Sequence, residues 1–145
     1  MTDVISIRSG QPADAPACAA ILNDWIERTT WMPRIHPAED VVRHYQQFVF
    51  AKRDIFVIGD PIEGYISLSD ENYVTSLFCA RRSAGLGKAL LDHAKTLRDE
   101  LFLWTFVANT GAQQFYLREG FVEKQRSDGD NEEGLPDILY HWEAR

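Results

Sequence analysis

Residues Arg81 to Leu91 read Arg-Arg-Ser-Ala-Gly-Leu-Gly-Lys-Ala-Leu-Leu, where an apolar strand pattern gives way to an amphipathic helix pattern. A helix that starts this way leaves N–H groups bare at the positive end of its dipole. Glycines there let an anion approach the main chain with no Cβ in its path. The chemistry this suits is the holding of a pyrophosphate, with Arg81, Arg82 and Lys88 as local positive charge. Tight strand-to-helix packing also uses such a turn, so the stretch needs a second signal. It is not a P-loop, because Gly-x-x-x-x-Gly-Lys-Ser/Thr is absent.

The second signal begins at Asn109: Asn-Thr-Gly-Ala-Gln-Gln-Phe-Tyr-Leu-Arg-Glu-Gly-Phe. Asn109 suits an N-cap, Ala112, Phe115 and Tyr116 recur at helical spacing, and Gly120 stops the helix before Phe121 and Val122. Taken in order, the two blocks resemble the acyl-CoA-binding core of the GNAT superfamily of N-acetyltransferases. That family carries Arg/Gln-x-x-Gly-x-Gly/Ala and then Asn-x-x-Ala-x-x-Phe-Tyr-x-x-x-Gly-Phe. The likeness runs from Ile5 to Trp142, and its specific part spans residues 74–121. The segment Ile21-Leu-Asn-Asp-Trp-Ile-Glu-Arg-Thr looks like the small-molecule branch that includes phosphinothricin-type acetyltransferases. Leu77-Phe-Cys-Ala-Arg-Arg-Ser enters the glycines without the Pro and longer loop of many members, which leaves either Arg81 or Arg82 on the family's Arg/Gln position.

The resemblance implies an α/β (α+β) acyl-CoA N-acyltransferase fold, with a mixed central sheet of six to seven strands flanked by about four helices. It implies acetyl-CoA as cosubstrate, no metal, and direct attack of an amine on the thioester. Strands four and five of such folds splay apart. Leu77, Phe78 and Cys79 would then meet the pantetheine, a backbone N–H nearby would stabilise the oxyanion, and Arg81, Arg82, Ser83, Ala84, Gly85, Leu86, Gly87 and Lys88 would hold the phosphates. Asn109 and Phe115 complete the cofactor set. Tyr116 falls where many relatives place a hydroxyl on the leaving sulfur. With ordinary pKa values of about 10 for Tyr and about 8.5 for a thiol, full proton transfer is uphill by about 2 kcal/mol, so hydrogen bonding to the departing thiolate carries much of the role.

A primary amine with a pKa of about 10.4 costs on the order of 4–5 kcal/mol to deprotonate at pH 7, so a base or a water relay is useful. Glu71 at the entrance of strand four is the expected base, with His36, His44 and an acid of the 128–133 loop as alternatives. The acceptor pocket implied by the resemblance lies between two loops. Trp31, Met32, Arg34 and His36 fall in the first; Asn131, Glu132 and Glu133 fall in the second. The aromatic and basic wall suits an apolar or carboxylate-bearing amine, and the acidic loop suits a cation.

The elements that must position these groups follow from periodicity. Residues 4–8 alternate as a strand. From Pro12, a helix buries Cys18, Ile21, Leu22, Trp25 and Ile26 at i, i+3, i+4, i+7, i+8 spacing. A second helix starts at Pro37 with the stripe Val41, Tyr45, Phe48, Val49. Strands 55–58, 64–69 and 73–79 form an antiparallel meander. Helix 85–98, with its apolar face Leu86, Leu90, Leu91, Ala94 and Leu97, then crosses to strand 101–107, whose apolar run predicts burial on both faces. Strands at 121–125 and 138–142 close the chain. The 145 residues bury a full core as one domain. Cys18 and Cys79 read as reduced thiols of a cytoplasmic protein. No apolar run approaches a membrane span. Fifteen Lys+Arg against 22 Asp+Glu give a net charge of −7, which disfavours nucleic acid, because that binding depends on neutralising phosphates. The expected partner is a small-molecule amine; a homodimer stays open.

Overall fold

The computed structural model describes residues 6–81 and 85–145. Its elements are β1 (Ile7–Ser9), a 3-10 turn (Pro12–Asp14), α1 (Ala15–Arg28), α2 (Ala38–His44), a π turn (Tyr45–Val49), α3 (Phe50–Lys52), β2 (Asp54–Ile58), β3 (Gly64–Leu68), β4 (Val74–Cys79), α4 (Leu86–Leu97), β5 (Glu100–Phe106), α5 (Thr110–Arg118), β6 (Val122–Ser127) and β7 (Asp137–Glu143). The segment from α2 to α3 is one continuous helical run, so four rods flank seven strands. The order expected from the sequence is the order found.

The strands form two sheets. One has the order β1-β2-β3-β4, all antiparallel; the other is β5-β7-β6, with the last strand inserted between the two before it. Between β4 and β5 there is a single parallel bridge, Tyr73 to Phe102. Past that bridge the two strands part, and β4 is left with one edge unpaired. The seven strands are therefore two sheets hinged at one residue pair, with strands four and five splayed as the resemblance implied.

Period-two patterning places the core on both faces of the first sheet. Ile55, Val57 and Tyr65 pack under α1 and α2 with Cys18, Ile21, Val41 and Val49. Ile58, Ile66 and Leu68 turn the other way, to meet Leu86, Leu90, Leu91 and Ala94 of α4 and Leu101, Ile138 and Tyr140 of the second sheet. At about 25 cal/mol per Å² of apolar area removed from water, each fully buried Leu or Ile contributes on the order of 2 kcal/mol before entropy is set against it.

Four sequence expectations need correction. Phe48 is not in the stripe: it is 40% exposed, while Val41, Tyr45 and Val49 are buried. The π turn adds a residue to one helical turn and swings Phe48 outward, where it stacks on His44 and lies under the Arg53 guanidinium. Leu97, in the last turn of α4, is 48% exposed. Strand β5 alternates instead of being buried throughout, with Leu101, Leu103 and Thr105 inward and Trp104 41% exposed. Its neighbour is the antiparallel β7 and not a sandwiched parallel strand, and no helix covers its second face. Finally, Leu22, Trp25 and Ile26 of α1 are only half-buried, because that end of the helix overhangs a cleft.

Candidate active site

The gap where β4 leaves β5 opens into a cleft of about 1310 Å³. One end is made by α4, α5 and the C-terminal half of β4, and the other by the α1–α2 connection, α2 and the β6–β7 loop. Most residues expected from the sequence meet here.

The first end is built largely from backbone. Gly85 precedes α4 with φ +72°, a left-handed conformation that costs other residues roughly 1–2 kcal/mol, and open space lies where its Cβ would be. Among the described residues, the first α4 amide seen to join the helical ladder is Ala89, which donates to Gly85 O at 3.0 Å. Gly87 is the second residue of α4, and a Cβ there would touch Phe115 Cζ at 3.7 Å. Leu77, Phe78 and Cys79 line the cleft from β4, as do Leu86, Lys88, Asn109 and Phe115 from the helix side. Asn109 makes its cap: Oδ1 accepts from Ala112 N at 3.1 Å. Arg82, Ser83 and Ala84, also expected in this set, lie outside the described residues.

The cations at this end already have partners. Arg81 donates to Glu63 at 2.9 and 3.3 Å, and this pairing holds the Glu63 carboxyl below its ordinary range. Lys88 bridges Glu119 and Asp92 at 3.0 and 3.1 Å. The Arg81–Glu63 and Lys88–Asp92 pairs are exposed on both sides and therefore weak, whereas the Glu119 carboxylate is buried against Lys88. Arg28 and Arg118 also line the cleft. The sequence reading missed both. Each ends a helix, a position that reads as simple dipole complementation.

Tyr116 lies at the middle of the cleft, 8% exposed and packed edge-on against Phe115 and Phe121. Among the described residues its hydroxyl has no hydrogen-bond partner. Burial pushes its pKa well above the ordinary value, and the nearby Cys79 adds to the effect. The phenol is thus neutral at every physiological pH. Cys79 is itself pushed up to about 11 by burial, so it stands there as a thiol.

The second end is built from side chains. Trp25 meets Trp31 edge-on at 5.7 Å and Phe78 at 5.2 Å, and Trp31 meets Phe106 at 5.8 Å, which makes an aromatic corridor leading in from the loops. Trp31, His36 and Glu132 line the cleft as expected. His36 Nε2 contacts Glu132 Oε1, tying the α1–α2 connection to the β6–β7 loop across the mouth. Arg34 does not line it: its guanidinium donates to Asn23 Oδ1 and to the His36 carbonyl, both at 3.0 Å, and so pins the connection from behind. Glu71 is not in the lining either. It is exposed in the β3–β4 turn, at the opposite end of β4 from Cys79. Trp25 and Phe106 were read as core, since apolar periodicity does not distinguish a packed face from a cleft wall.

Among the described residues, one group has metal-ligand spacing: Glu100, His141 and Glu143, whose donor atoms lie within 4.8 Å of one another. It is at the start of β5, away from the cleft, and His141 already bonds Glu100 at 2.8 Å.

Splayed strands, a left-handed glycine before a helix and a tyrosine with no hydrogen-bond partner among the described residues are the features that an acyl-CoA-dependent transferase was expected to bring together. The chain belongs to the acetyltransferase (GNAT) domain family, whose description matches residues 21–144. As a member it is an acetyl-CoA-dependent acyltransferase. It is similar to the peptidyl-lysine N-acetyltransferase YiaC of Escherichia coli strain K12, at 26% identity over 126 residues, covering 79% of this chain and 82% of that protein. Among solved structures, YjaB from Escherichia coli superposes with a TM-score of 0.77 at 23% identity, over 96% of this chain and 97% of that one. The yncA protein of Salmonella typhimurium, solved with its cofactor acetyl-CoA, gives 0.72 at 18% identity, over 97% and 94%. No helix among the described residues is long and apolar enough to cross a membrane.

Proposed function

We propose that residues 1–145 form one acetyltransferase domain that moves the acetyl group of acetyl-CoA to the primary amine of a small molecule bound at the loop-walled end of the cleft. The observation that carries this is the Tyr116 hydroxyl, which has no hydrogen-bond partner among the described residues and lies beside Cys79, at the end of β4 remote from its one bridge to β5. Acetyl-CoA supplies the activated thioester. The free edge of β4 and the helix start at Gly85–Lys88 fit the amides and the phosphates of such a molecule, and Tyr116 donates a hydrogen bond to the sulfur as negative charge develops on it. With its pKa raised, the phenol gives up its proton even less readily than in water, so it acts mainly as a hydrogen-bond donor.

The His36–Glu132 contact across the mouth supports a small acceptor over a broad polypeptide groove. The likeness to a peptidyl-lysine acetyltransferase favours the second reading, a lysine side chain entering the same corridor. We assign the proton acceptor to the histidines that line the cleft, His36 or His44, in preference to Glu71. Reduced Cys18 and Cys79 suit a cytoplasmic setting. Thiol release from acetyl-CoA, measured across amines and lysine peptides, tests the reading. Turnover with small amines supports it, and turnover confined to peptides replaces it with the second.

A further inference from the structure

Charge divides along the cleft. Arg28, Arg81, Lys88 and Arg118 gather at the glycine end. At the other end the β6–β7 loop carries Asp128, Asp130, Glu132 and Glu133 with no basic residue among them, and Asp40 in the first turn of α2 also lines the cleft. The cations near that mouth are committed elsewhere. Arg34 is held by Asn23 behind the connection, Arg43 pairs with Asp40, and His36 faces Glu132. Glu133, half-buried in the cleft wall, has no ion-pair partner among the described residues. Trp25, Trp31, Phe78 and Phe106, in contact with one another, line the same cleft as this carboxylate and Tyr116, and their rings suit methylene groups and the faces of cations.

We infer that the acceptor is an aliphatic diamine or longer polyamine: one amine reaches Tyr116 down the aromatic corridor while a second ammonium group at the far end of its arm pairs with Glu133. This rests on the acetyltransferase reading above and names its substrate class. Each part of such a molecule meets a matching surface. The methylene arm packs against indole and phenyl rings, the distal cation neutralises a carboxylate with no other partner, and the acidic loop draws the acceptor to the end of the cleft opposite the anionic cosubstrate. A carboxylate at the far end of the arm would meet Glu133 and Glu132 instead, and like charges there count against binding.

The test is steady-state thiol release by the full chain with saturating acetyl-CoA and three acceptors of equal reach: 1,5-diaminopentane, pentylamine and 5-aminopentanoate. The expected KM is at least tenfold lower for the diamine than for pentylamine, and highest for the amino acid. Glu133→Gln should collapse the preference for the diamine over pentylamine toward unity, and Glu133→Arg should reverse the order between diamine and amino acid. Glu132→Gln serves as a second variant in case either change impairs folding, and is expected to weaken the same preference several-fold. Equal KM values for the three acceptors, or a diamine preference that survives every variant, overturns the inference while leaving the acetyltransferase reading intact. If no amine releases thiol although calorimetry shows acetyl-CoA bound, both are overturned.

Discussion

The two ends of the cleft are made differently. At the glycine end the contacts come from main chain: a left-handed Gly85, the first amides of α4 and the free edge of β4. At the loop end they come from side chains on two connections, Trp31 and His36 on one, Glu132 and Glu133 on the other. A main-chain site constrains which residues are permitted, since only small ones leave room, and so it writes a short pattern into the sequence. A side-chain site asks only that two loops of suitable length approach each other. The first kind stays fixed while the second is free to vary, which is the division expected of one reaction served to different acceptors.

Four measurements break or sharpen this division. The largest effect belongs to Gly87→Asp, which puts bulk and negative charge into the anion end. Acetyl-CoA affinity by calorimetry should fall on the order of 100-fold, about 2.7 kcal/mol. Gly87→Ala should bind nearly normally, since its Cβ would make an ordinary 3.7 Å contact with Phe115. If the alanine variant fails as badly, the glycine serves packing and the contrast between the ends weakens.

Next comes Tyr116→Phe, at the boundary. Turnover should drop by roughly 100-fold with acetyl-CoA affinity little changed, because the hydroxyl acts on charge that develops only during reaction. Wild-type turnover under conditions where chemistry is rate-limiting would make Tyr116 a packing residue.

At the loop end, Trp31→Ala should raise the acceptor KM about tenfold and leave that of acetyl-CoA within about twofold. Arg34→Ala, which removes the pin to Asn23 and not a cleft wall, should act less on KM and show itself as a lower melting temperature. Equal shifts of both KM values in the Trp31 variant would merge the two ends into one site.

The smallest effect is alkaline. The Cys79 thiol is pushed up to about 11 in the folded chain, above the ordinary value near 9. The folded state therefore holds this proton more tightly than the unfolded one. That contribution is full below about pH 9 and is lost as pH rises through 11, by no more than about 2.7 kcal/mol. Thermal melts from pH 8 to 10.5 should fall less steeply for Cys79→Ala than for the parent, and iodoacetamide should label Cys79 slowly at pH 8.

Legibility in the sequence followed the same division. The meander β2–β3–β4, the crossover through α4 and the Asn109 cap all stood in patterns of period two, period 3.6 and turn residues, and these local rules held. Trp25 was misread because its spacing fits a buried helix face, and only the neighbouring loops decide whether such a face meets core or cavity. Glu71 was placed by its closeness in sequence to β4, but the strand carries it to the wrong end. Arg34 looked like a free charge in a long loop; its partner Asn23 lies eleven residues back on α1, beyond any local pattern. The split of the sheet was legible only through the family likeness, since nothing in β4 or β5 alone says that they part after Tyr73 and Phe102.

The β6–β7 loop closes on itself. Asn131 donates to the Leu135 carbonyl at 2.7 Å and to Asp137 at 3.1 Å, and accepts from Leu135 N; Ser127 joins Asp137 at 2.5 Å. A side chain at Gly129 would strike the Gly134 carbonyl at 2.8 Å, so the two ends of the loop are in near contact. A tip braced from within borrows little from the rest of the molecule. It behaves as a cassette: the side chains at 128, 130, 132 and 133, which take no part in this bracing, can be exchanged by mutation, or the whole segment by grafting, at small cost to folding. New acceptor preferences then become accessible to evolution, or to an engineer, in one short insertion that leaves the machinery for acetyl-CoA untouched.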